Sequence, residues 1–213
     1  MTQANLLYQY LKSNYKENEP IFLSEIQLPD MKPVSVRQQL KKLTEDGRVK
    51  RFATGIYFIP RKTLFRSGST LSVESVIKRK YLTEGSDKCG YICGMLLANQ
   101  IGLTTQVPMV YEITTNKATT EYRETQLGKF RVVIKRPYVP VTEQNANILQ
   151  FLDLMKEVVD ISELEGKELT QRLIEFMRVK GIRFGELVPY LSYYPEKIYK
   201  NMYEVGLLNG VLA

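Results

Sequence analysis

The chain has 213 residues, of which 44% are hydrophobic and 25% are charged. This is the composition of a folded globular protein; it excludes disorder along the whole length, and the length favours one or two domains. Histidine is absent, which removes the commonest general base and a common metal ligand. We therefore expect a protein that is not an enzyme and that needs neither a metal nor another cofactor.

The charge is unevenly distributed along the chain. Thirty Lys and Arg against 23 Asp and Glu give a net charge of +7. Residues 1–66 carry +6, residues 67–141 carry +4 and residues 142–213 carry −3. The positive first two thirds favour a polyanionic partner such as nucleic acid.

The sequence gives no sign of export or of a membrane span. The N-terminus lacks a basic segment followed by an apolar one, so no secretory signal is predicted. The least polar stretch, Gly90–Leu103, is too short to cross a bilayer and contains Asn99 and Gln100. Two cysteines do not make a disulfide framework, and we expect a cytoplasmic protein with free thiols and no membrane partner.

Helical spacing of apolar residues predicts two helical segments at the start of the chain. Leu6, Leu7, Tyr10 and Leu11 recur three and four residues apart and predict a first helix. The run Phe22–Ile26 allows about two further helical turns before the next prolines.

A third helix is predicted from Val36, Leu40 and Leu43, which share one helical face. Ser35 is its candidate N-cap, and Asp46-Gly47 supplies the stop.

Two short strands, Arg48–Phe52 and Ile56–Ile59, are predicted to form a hairpin around a loop that contains Gly55. Helix, short helix, helix and basic hairpin is the order of a winged helix-turn-helix domain, here residues 1–66. Because winged helices also serve as protein-binding modules, DNA binding and protein binding both remain open for this domain.

In the DNA-binding interpretation, the third helix enters the major groove and the hairpin lies over the phosphate backbone. Arg37 and Gln38 are the candidates for reading base edges. The start of the helix and the expected phosphate contacts supply the other candidate residues, which are Ser35, Lys41, Lys42, Arg48, Lys50 and Arg51.

Residues 67–213 are expected to form a second domain, with an α+β part over 67–141 and a helical part over 142–213. Residues 67–70 are small and polar and suggest a linker. The predicted elements of the α+β part are a helix at Leu71–Tyr81, a buried helix at Cys89–Gln100, strands at Val110–Thr114 and Phe130–Lys135, and a candidate strand at Thr119–Thr125. The fold class predicted for the whole chain is α+β.

The C-terminal part is predicted to be a small helical bundle. Its apolar positions at helical spacing are Ile148, Leu149, Leu152 and Met155, then Leu169, Leu173, Ile174, Phe176 and Met177, then Ile198, Met202 and Val205. Five tyrosines mark either a protein-binding face or, as we favour, packing between helices: Tyr190, Tyr193, Tyr194, Tyr199 and Tyr203.

Other chemistry is not supported by the pattern of residues. Cys89 and Cys93 have the spacing of two ligands on one helical face, but nothing completes a zinc site, and we expect them to be small buried side chains. No phosphate-binding Gly-x-x-x-x-Gly-Lys-Ser/Thr loop is present.

Three stretches resemble the AbiEi-like antitoxins of type IV toxin–antitoxin (abortive phage infection) systems. They are the hairpin end Gly55–Pro60, the segment Gly90–Leu103, and Leu103–Pro108 followed by Tyr111–Asn116. The most specific of them is the Gly-Leu-Thr-Thr-Gln-Val-Pro sequence that ends at Pro108. The resemblance covers residues 1–141.

The resemblance implies a bacterial DNA-binding antitoxin that represses its own operon from inverted repeats in its promoter, and a C-terminal domain needed for antitoxicity. It implies double-stranded operator DNA as a partner and a nucleotidyltransferase-like toxin as the functional partner, without requiring direct contact between the two proteins. Thr104, Thr105 and Gln106 of the Leu103–Pro108 loop offer hydrogen-bonding side chains for a ligand. We favour a structural role for that loop, between the buried helix and the first strand.

Overall fold

The computed structural model describes residues 2–62 and 68–208, which form a mixed α+β structure. The chain divides into two compact units, residues 1–79 and residues 80–213. The domain boundary expected between residues 66 and 67 lies outside the described residues, as does the first position of the expected linker.

The first unit combines helices with a three-stranded antiparallel sheet. Its elements are α1 (Gln3–Asn14), β1 (Ile21–Phe22), a single 3₁₀ turn (Leu23–Glu25), α2 (Pro33–Glu45), β2 (Lys50–Ala53), β3 (Ile56–Phe58) and α3 (Val73–Ile77). The strands pair in the order β1-β3-β2, and the β2–β3 hairpin carries an irregularity in register between Arg51 and Ala53. The hairpin prediction is confirmed.

Helix α2 lies on the core of the first unit through the apolar face that its sequence predicts. Val36, Leu40 and Leu43 are buried against Leu7 and Leu11 of α1. Burial of side chains of this size stabilises by about 1.5–3 kcal/mol each, which fixes the opposite face of α2 towards solvent.

Of two local predictions for this unit, one is confirmed only in part and the other is wrong. A single 3₁₀ helical turn, Leu23–Glu25, is present where about two turns are predicted, and Phe22 belongs to strand β1 because Ile21 and Phe22 pair with Tyr57 and Ile56 of β3. A two-residue strand is too short to leave a periodic signal in the sequence.

Ser35 is not the N-cap of α2. The helix begins at Pro33, and Lys32 occupies the cap position without a side-chain hydrogen bond. Proline is favoured at the first helical position because its fixed φ suits the helix and its missing N–H has no partner there anyway. The stop predicted at Asp46-Gly47 is confirmed, since α2 ends at Glu45 with Asp46 as the C-cap.

The second unit packs helices on a four-stranded sheet. After α3, the chain continues through a π-helical turn (Lys78–Leu82), β4 (Thr83–Glu84), β5 (Asp87–Lys88), β6 (Gly90–Cys93), α4 (Gly94–Gln100), β7 (Val110–Thr115), β8 (Tyr122–Leu127) and β9 (Phe130–Lys135). The large sheet has the order β6-β7-β9-β8, in which β7 and β9 are parallel and the other pairs are antiparallel.

The predicted helix at Cys89–Gln100 is wrong over its first half. Gly90–Cys93 is strand β6, and only Gly94–Gln100 is helical. The segment is an almost continuous apolar run, so its periodicity does not distinguish a buried strand from a buried helix, and pairing of β6 with β7 decides the outcome. The helix predicted at Leu71–Tyr81 is also shorter, because the α-helical part covers Val73–Ile77 and the π-helical turn follows.

Four helices complete the second unit, as the bundle prediction requires. They are α5 (Ala146–Ile161), α6 (Gly166–Lys180), α7 (Phe184–Leu191) and α8 (Lys197–Glu204). The predicted core positions are buried with the exception of Ile174, which is exposed. No described helix is long and apolar enough to cross a membrane.

Candidate nucleic-acid interface

The solvent-facing side of α2 carries the side chains that the sequence predicts as the DNA-reading face. Arg37, Gln38, Lys41 and Lys42 are all exposed. Lys41 lies 3.9 Å from Glu45, and both side chains are well exposed, so this ion pair contributes at most about 1 kcal/mol. Within residues 2–62 and 68–208, no ion pair or side-chain hydrogen bond engages Arg37, Gln38 or Lys42. Ser35 lies in the first turn of the same helix and is half-buried.

The β2–β3 hairpin holds its two basic side chains in different ways. Arg51 is exposed, and its guanidinium bends over the turn to Ala53 O and Thr54 Oγ1, both at 3.3 Å. Lys50 is half-buried and donates to Ser69 O at 3.3 Å. Arg51 is therefore available at the surface of the hairpin, whereas the Lys50 ammonium is engaged within the first unit.

Arg48 turns towards α1 and is half-buried. Its Nη1 donates to Asn5 Oδ1 at 2.8 Å, and its guanidinium carbon lies 3.8 Å from the centre of the Tyr8 ring. The guanidinium is thus held by one hydrogen bond and by stacking on an aromatic ring, and both contacts are to α1. The structure thus gives this predicted phosphate contact a second role that the sequence did not suggest.

Arg79, the last residue of the first unit, forms two ion pairs. Its guanidinium pairs with Glu19 and, at 2.9 Å, with Glu25, and it lies over the Tyr15 ring. Both carboxylates belong to the first unit. This arginine is therefore held by contacts within the first unit and is not a free cation at its surface.

The whole net charge of the protein belongs to the first unit. Residues 1–79 contain 14 basic and seven acidic side chains, and residues 80–213 contain 16 of each. The unit that carries the exposed face of α2 is therefore +7, and the second unit is neutral. The field that attracts a polyanion originates in the same unit as that face.

The Leu103–Pro108 loop is fastened to the segment between α5 and α6. Thr104 Oγ1 donates to Glu163 Oε1 at 2.7 Å, and the N–H and hydroxyl of Thr105 donate to Oε2 at 2.8 and 2.9 Å. These hydrogen bonds lower the pKa of the Glu163 carboxyl from 4.5 to about 2, the Thr105 N–H being the largest cause. The Gln106 side chain contributes to the same lowering, so all three polar side chains that the loop offers are used internally.

A buried polar group that the sequence reasoning missed lies under the large sheet. Asp153 of α5 is 6% exposed and accepts from Tyr91 Oη at 2.8 Å and Thr114 Oγ1 at 2.9 Å. Its other oxygen faces Lys156 Nζ at 2.8 Å. An aspartate inside an otherwise apolar helical run is the sequence signal that could have revealed it.

Two basic side chains at and just after the end of β9 form ion pairs within the second unit. Lys135 pairs with Glu112 at 2.7 Å and reaches Glu157 at 3.6 Å. Arg136 pairs with Glu121 at 3.0 Å. Lys135 is half-buried between these carboxylates, whereas Arg136 stays exposed beside Glu121.

The cysteines and tyrosines of the second unit separate into buried and exposed groups. Cys89 and Cys93 are buried free thiols, as predicted, but they lie before and at the end of strand β6 and not in a helix. No group of three or more Cys, Asp or Glu side chains in the described ranges is arranged to hold a metal ion. Interhelical packing accounts for Tyr194, which is buried, and in part for half-buried Tyr190; the other three of the five tyrosines are exposed, namely Tyr193, Tyr199 and Tyr203.

The fold and this surface define a two-unit α+β protein with one basic and one neutral unit. The chain belongs to a family of unknown function, DUF6088, whose family model matches residues 9–173. The match begins inside α1 and ends inside α6, so it covers parts of both units. No curated protein matches the chain.

Proposed function

We propose that this protein is a sequence-specific DNA-binding antitoxin and transcriptional autorepressor of a type IV toxin–antitoxin operon, and that it has no catalytic activity. The observation that carries the DNA-binding part is the exposed face of α2, with Arg37, Gln38, Lys41 and Lys42, in the unit that holds the whole net charge of +7. A helix face with a net positive charge attracts the phosphates of a duplex.

The arrangement of the first unit supports a winged helix-turn-helix. Helix α1, strand β1, a short turn, helix α2 and the β2–β3 hairpin follow one another, and β1 pairs with β3 at the edge of the small sheet. In this arrangement α2 is the recognition helix and the hairpin is the wing. Arg51 at the exposed hairpin then faces the phosphate backbone beside the groove.

The side chains of α2 match the donors and acceptors of the major groove. An arginine forms two hydrogen bonds to guanine O6 and N7, and a glutamine forms two to adenine N6 and N7. These roles fall to Arg37 and Gln38, adjacent residues in the second turn of the helix. Lys41 and Lys42, in the later turns, are placed for phosphates.

The antitoxin part of the proposal is supported by the resemblance of Leu103–Pro108 and its flanking segments to AbiEi-like antitoxins. In such a system the functional partner is a nucleotidyltransferase-like toxin encoded beside the antitoxin, and both act in the cytoplasm. A toxin gene that arrests growth when expressed alone, and is tolerated when this protein is co-expressed, tests this part separately from DNA binding.

The DNA-binding part is tested with the full chain and its own upstream DNA. Affinity for that duplex and for a scrambled duplex is measured by fluorescence anisotropy from about 50 to 300 mM salt. Selective binding that survives about 150 mM salt is the expected result. Equal affinity for both duplexes at every salt concentration would contradict the proposal.

Matched variants make this experiment specific to α2. Arg37→Ala and Gln38→Ala are compared with Arg123→Ala, an exposed arginine of the second unit. The α2 variants are expected to lose discrimination between the duplexes by about 1–3 kcal/mol per base contact. The Arg123→Ala protein is expected to discriminate as the wild type does.

A second candidate function is protein binding through the C-terminal helices. Tyr199 and Tyr203 are one turn apart on α8 and are both exposed, and tyrosine is enriched at protein interfaces. Co-purification of the neighbouring gene product with the wild type, and its loss with Tyr199→Ser/Tyr203→Ser, would favour this function. A Tyr122→Ser protein, altered at an exposed tyrosine of β8, is the control.

A further inference from the structure

Val34 is an apolar side chain in the first turn of α2 that the core of the first unit does not use. It is 62% exposed, whereas Val36 two residues later is 3% exposed and belongs to the core. Val34 precedes Arg37 and Gln38 by three and four residues, so the three side chains share one face of the helix. The face proposed to read bases therefore begins with a methyl-bearing side chain.

The surroundings of Val34 favour DNA over an apolar protein partner. Lys32 precedes it at the cap position, and Arg37 and Lys41 follow on the same face. A valine with basic side chains before and after it complements a surface that is anionic overall and that presents one isolated apolar group. The major groove has this property, because the C5-methyl of thymine is its apolar feature between the phosphate rows.

We propose that Val34 contacts the C5-methyl group of a thymine in the operator and thereby adds a third base preference to this helix. The inference rests on the proposed DNA-binding function. Val34 donates no hydrogen bond in this role; it contributes by excluding water from the methyl group.

The position of the thymine relative to the other bases follows from the geometry of the helix. Three to four residues of α-helix advance by about 4.5–6 Å, at about 1.5 Å per residue. Successive base pairs are about 3.4 Å apart. The thymine is therefore expected one or two base pairs from the guanine or adenine contacted by Arg37 or Gln38, towards the end of the site that the helix N-terminus occupies.

Single thymine-to-uracil replacements in the operator test the proposal, because they remove only the methyl group. Each thymine of the upstream duplex that the protein selects is replaced in turn by uracil, and affinity is measured for the full-length wild type and for Val34→Ala. Loss of one buried methyl contact is expected to weaken wild-type binding about two- to fivefold at one position in each site. The Val34→Ala protein is expected to bind the thymine duplex correspondingly more weakly and to show no further loss with uracil.

Two control variants separate this contact from a general effect. Val34→Thr keeps one methyl group at the same place and is expected to retain sensitivity to uracil. Val188→Ala removes a comparably exposed valine, 58% exposed, from α7 of the second unit, and is expected to behave as the wild type. Because both valines are exposed, unchanged circular dichroism and melting are expected and are checked first.

The possible results distinguish this inference from the function on which it rests. If the protein selects its upstream duplex but uracil costs the wild type and Val34→Ala equally, the thymine contact is overturned and the DNA-binding function stands. If no upstream duplex is selected, both are overturned. Sensitivity to uracil that disappears only in Val34→Ala supports both.

Discussion

Thr105 donates its backbone N–H and its hydroxyl to the same carboxylate oxygen of Glu163, at 2.8 and 2.9 Å. In return, the Glu163 N–H donates to Leu103 O at 2.8 Å. The most specific stretch of the family resemblance thus closes a reciprocal contact between the loop before β7 and the segment after α5. Val107 of the same loop and Met109 directly after it remain exposed.

This contact makes the stability of the second unit depend on pH in a defined direction. The pKa of Glu163 falls to about 2 in the folded protein and returns towards its ordinary value on unfolding. Its stabilisation is therefore fully present above about pH 4.5 and is lost as the pH falls towards 2. The melting temperature of Glu163→Gln is expected to lie below that of the wild type at pH 7, and the difference is expected to vanish near pH 2.

Thermal melts at pH 2–7 measure this difference. Glu165→Gln is the matched control, since Glu165 is an exposed carboxylate at the N-cap of α6 that makes no capping hydrogen bond with its side chain. A Glu163→Gln difference that stays constant across the range would show that the Thr105 contact does not set this pKa.

Arg48 and Lys42 are expected to separate fold stability from DNA attraction. Arg48→Ala removes the Asn5 hydrogen bond and the Tyr8 stacking, and is expected to cost about 1 kcal/mol of unfolding free energy with little change in salt dependence. Lys42→Ala is expected to leave urea unfolding unchanged and to lower the slope of log affinity against log salt by about one. If Arg48→Ala instead lowered the salt slope and left the stability unchanged, Arg48 would be a phosphate contact, as the sequence predicts.

Removal of the Asp153 carboxylate is expected to lower the free energy of unfolding more than removal of any one of its partners. Asp153→Ala leaves two buried hydroxyls and the Lys156 ammonium without their acceptor, and is expected to destabilise the protein by about 2–3 kcal/mol. Tyr91→Phe removes one donor and is expected to cost about 1 kcal/mol. Chemical denaturation of both variants checks the order, which a similar loss in each would refute.

Gly94 and Gly181 provide a comparison of two left-handed residues. Both have positive φ, 63° and 67°, but a Cβ at Gly94 would lie 2.3 Å from Glu112 Oε1, whereas one at Gly181 meets nothing within 4 Å. Gly181→Ala is expected to cost about 1–2 kcal/mol from conformation alone. Gly94→Ala is expected to cost at least about 1 kcal/mol more, because Glu112 must leave its ion pair with Lys135; equal losses would rule out this collision.

The outward face of α2 was predictable because a helix with a buried stripe must expose its other side. Val36, Leu40 and Leu43 define the stripe, and Arg37, Gln38, Lys41 and Lys42 then fall on the solvent side. The composition of the segment alone does not tell whether Val34 is a core residue or a solvent-facing one, because valine is found at both kinds of position. Its exposure follows once the start of the helix at Pro33 is known.

The assignments that failed depend on partners distant in sequence. Gly90–Cys93 is a strand because it pairs with Glu112–Thr115, and Ile21-Phe22 because it pairs with β3. Arg48 is held by Asn5 and Tyr8, about 40 positions earlier. No local window of sequence contains such information.

The sequence by itself determined the α+β class, the apolar faces of α2 and α5, and the positive charge of the N-terminal part, because periodicity and composition are local properties. Only the tertiary structure decided which cations stay available. It placed the half-buried Arg79 and Lys135 in ion pairs and left Arg37 and Lys42 exposed. The availability of a charge depends on the groups that folding brings beside it, and Coulomb attraction acts over distance in space and not along the chain.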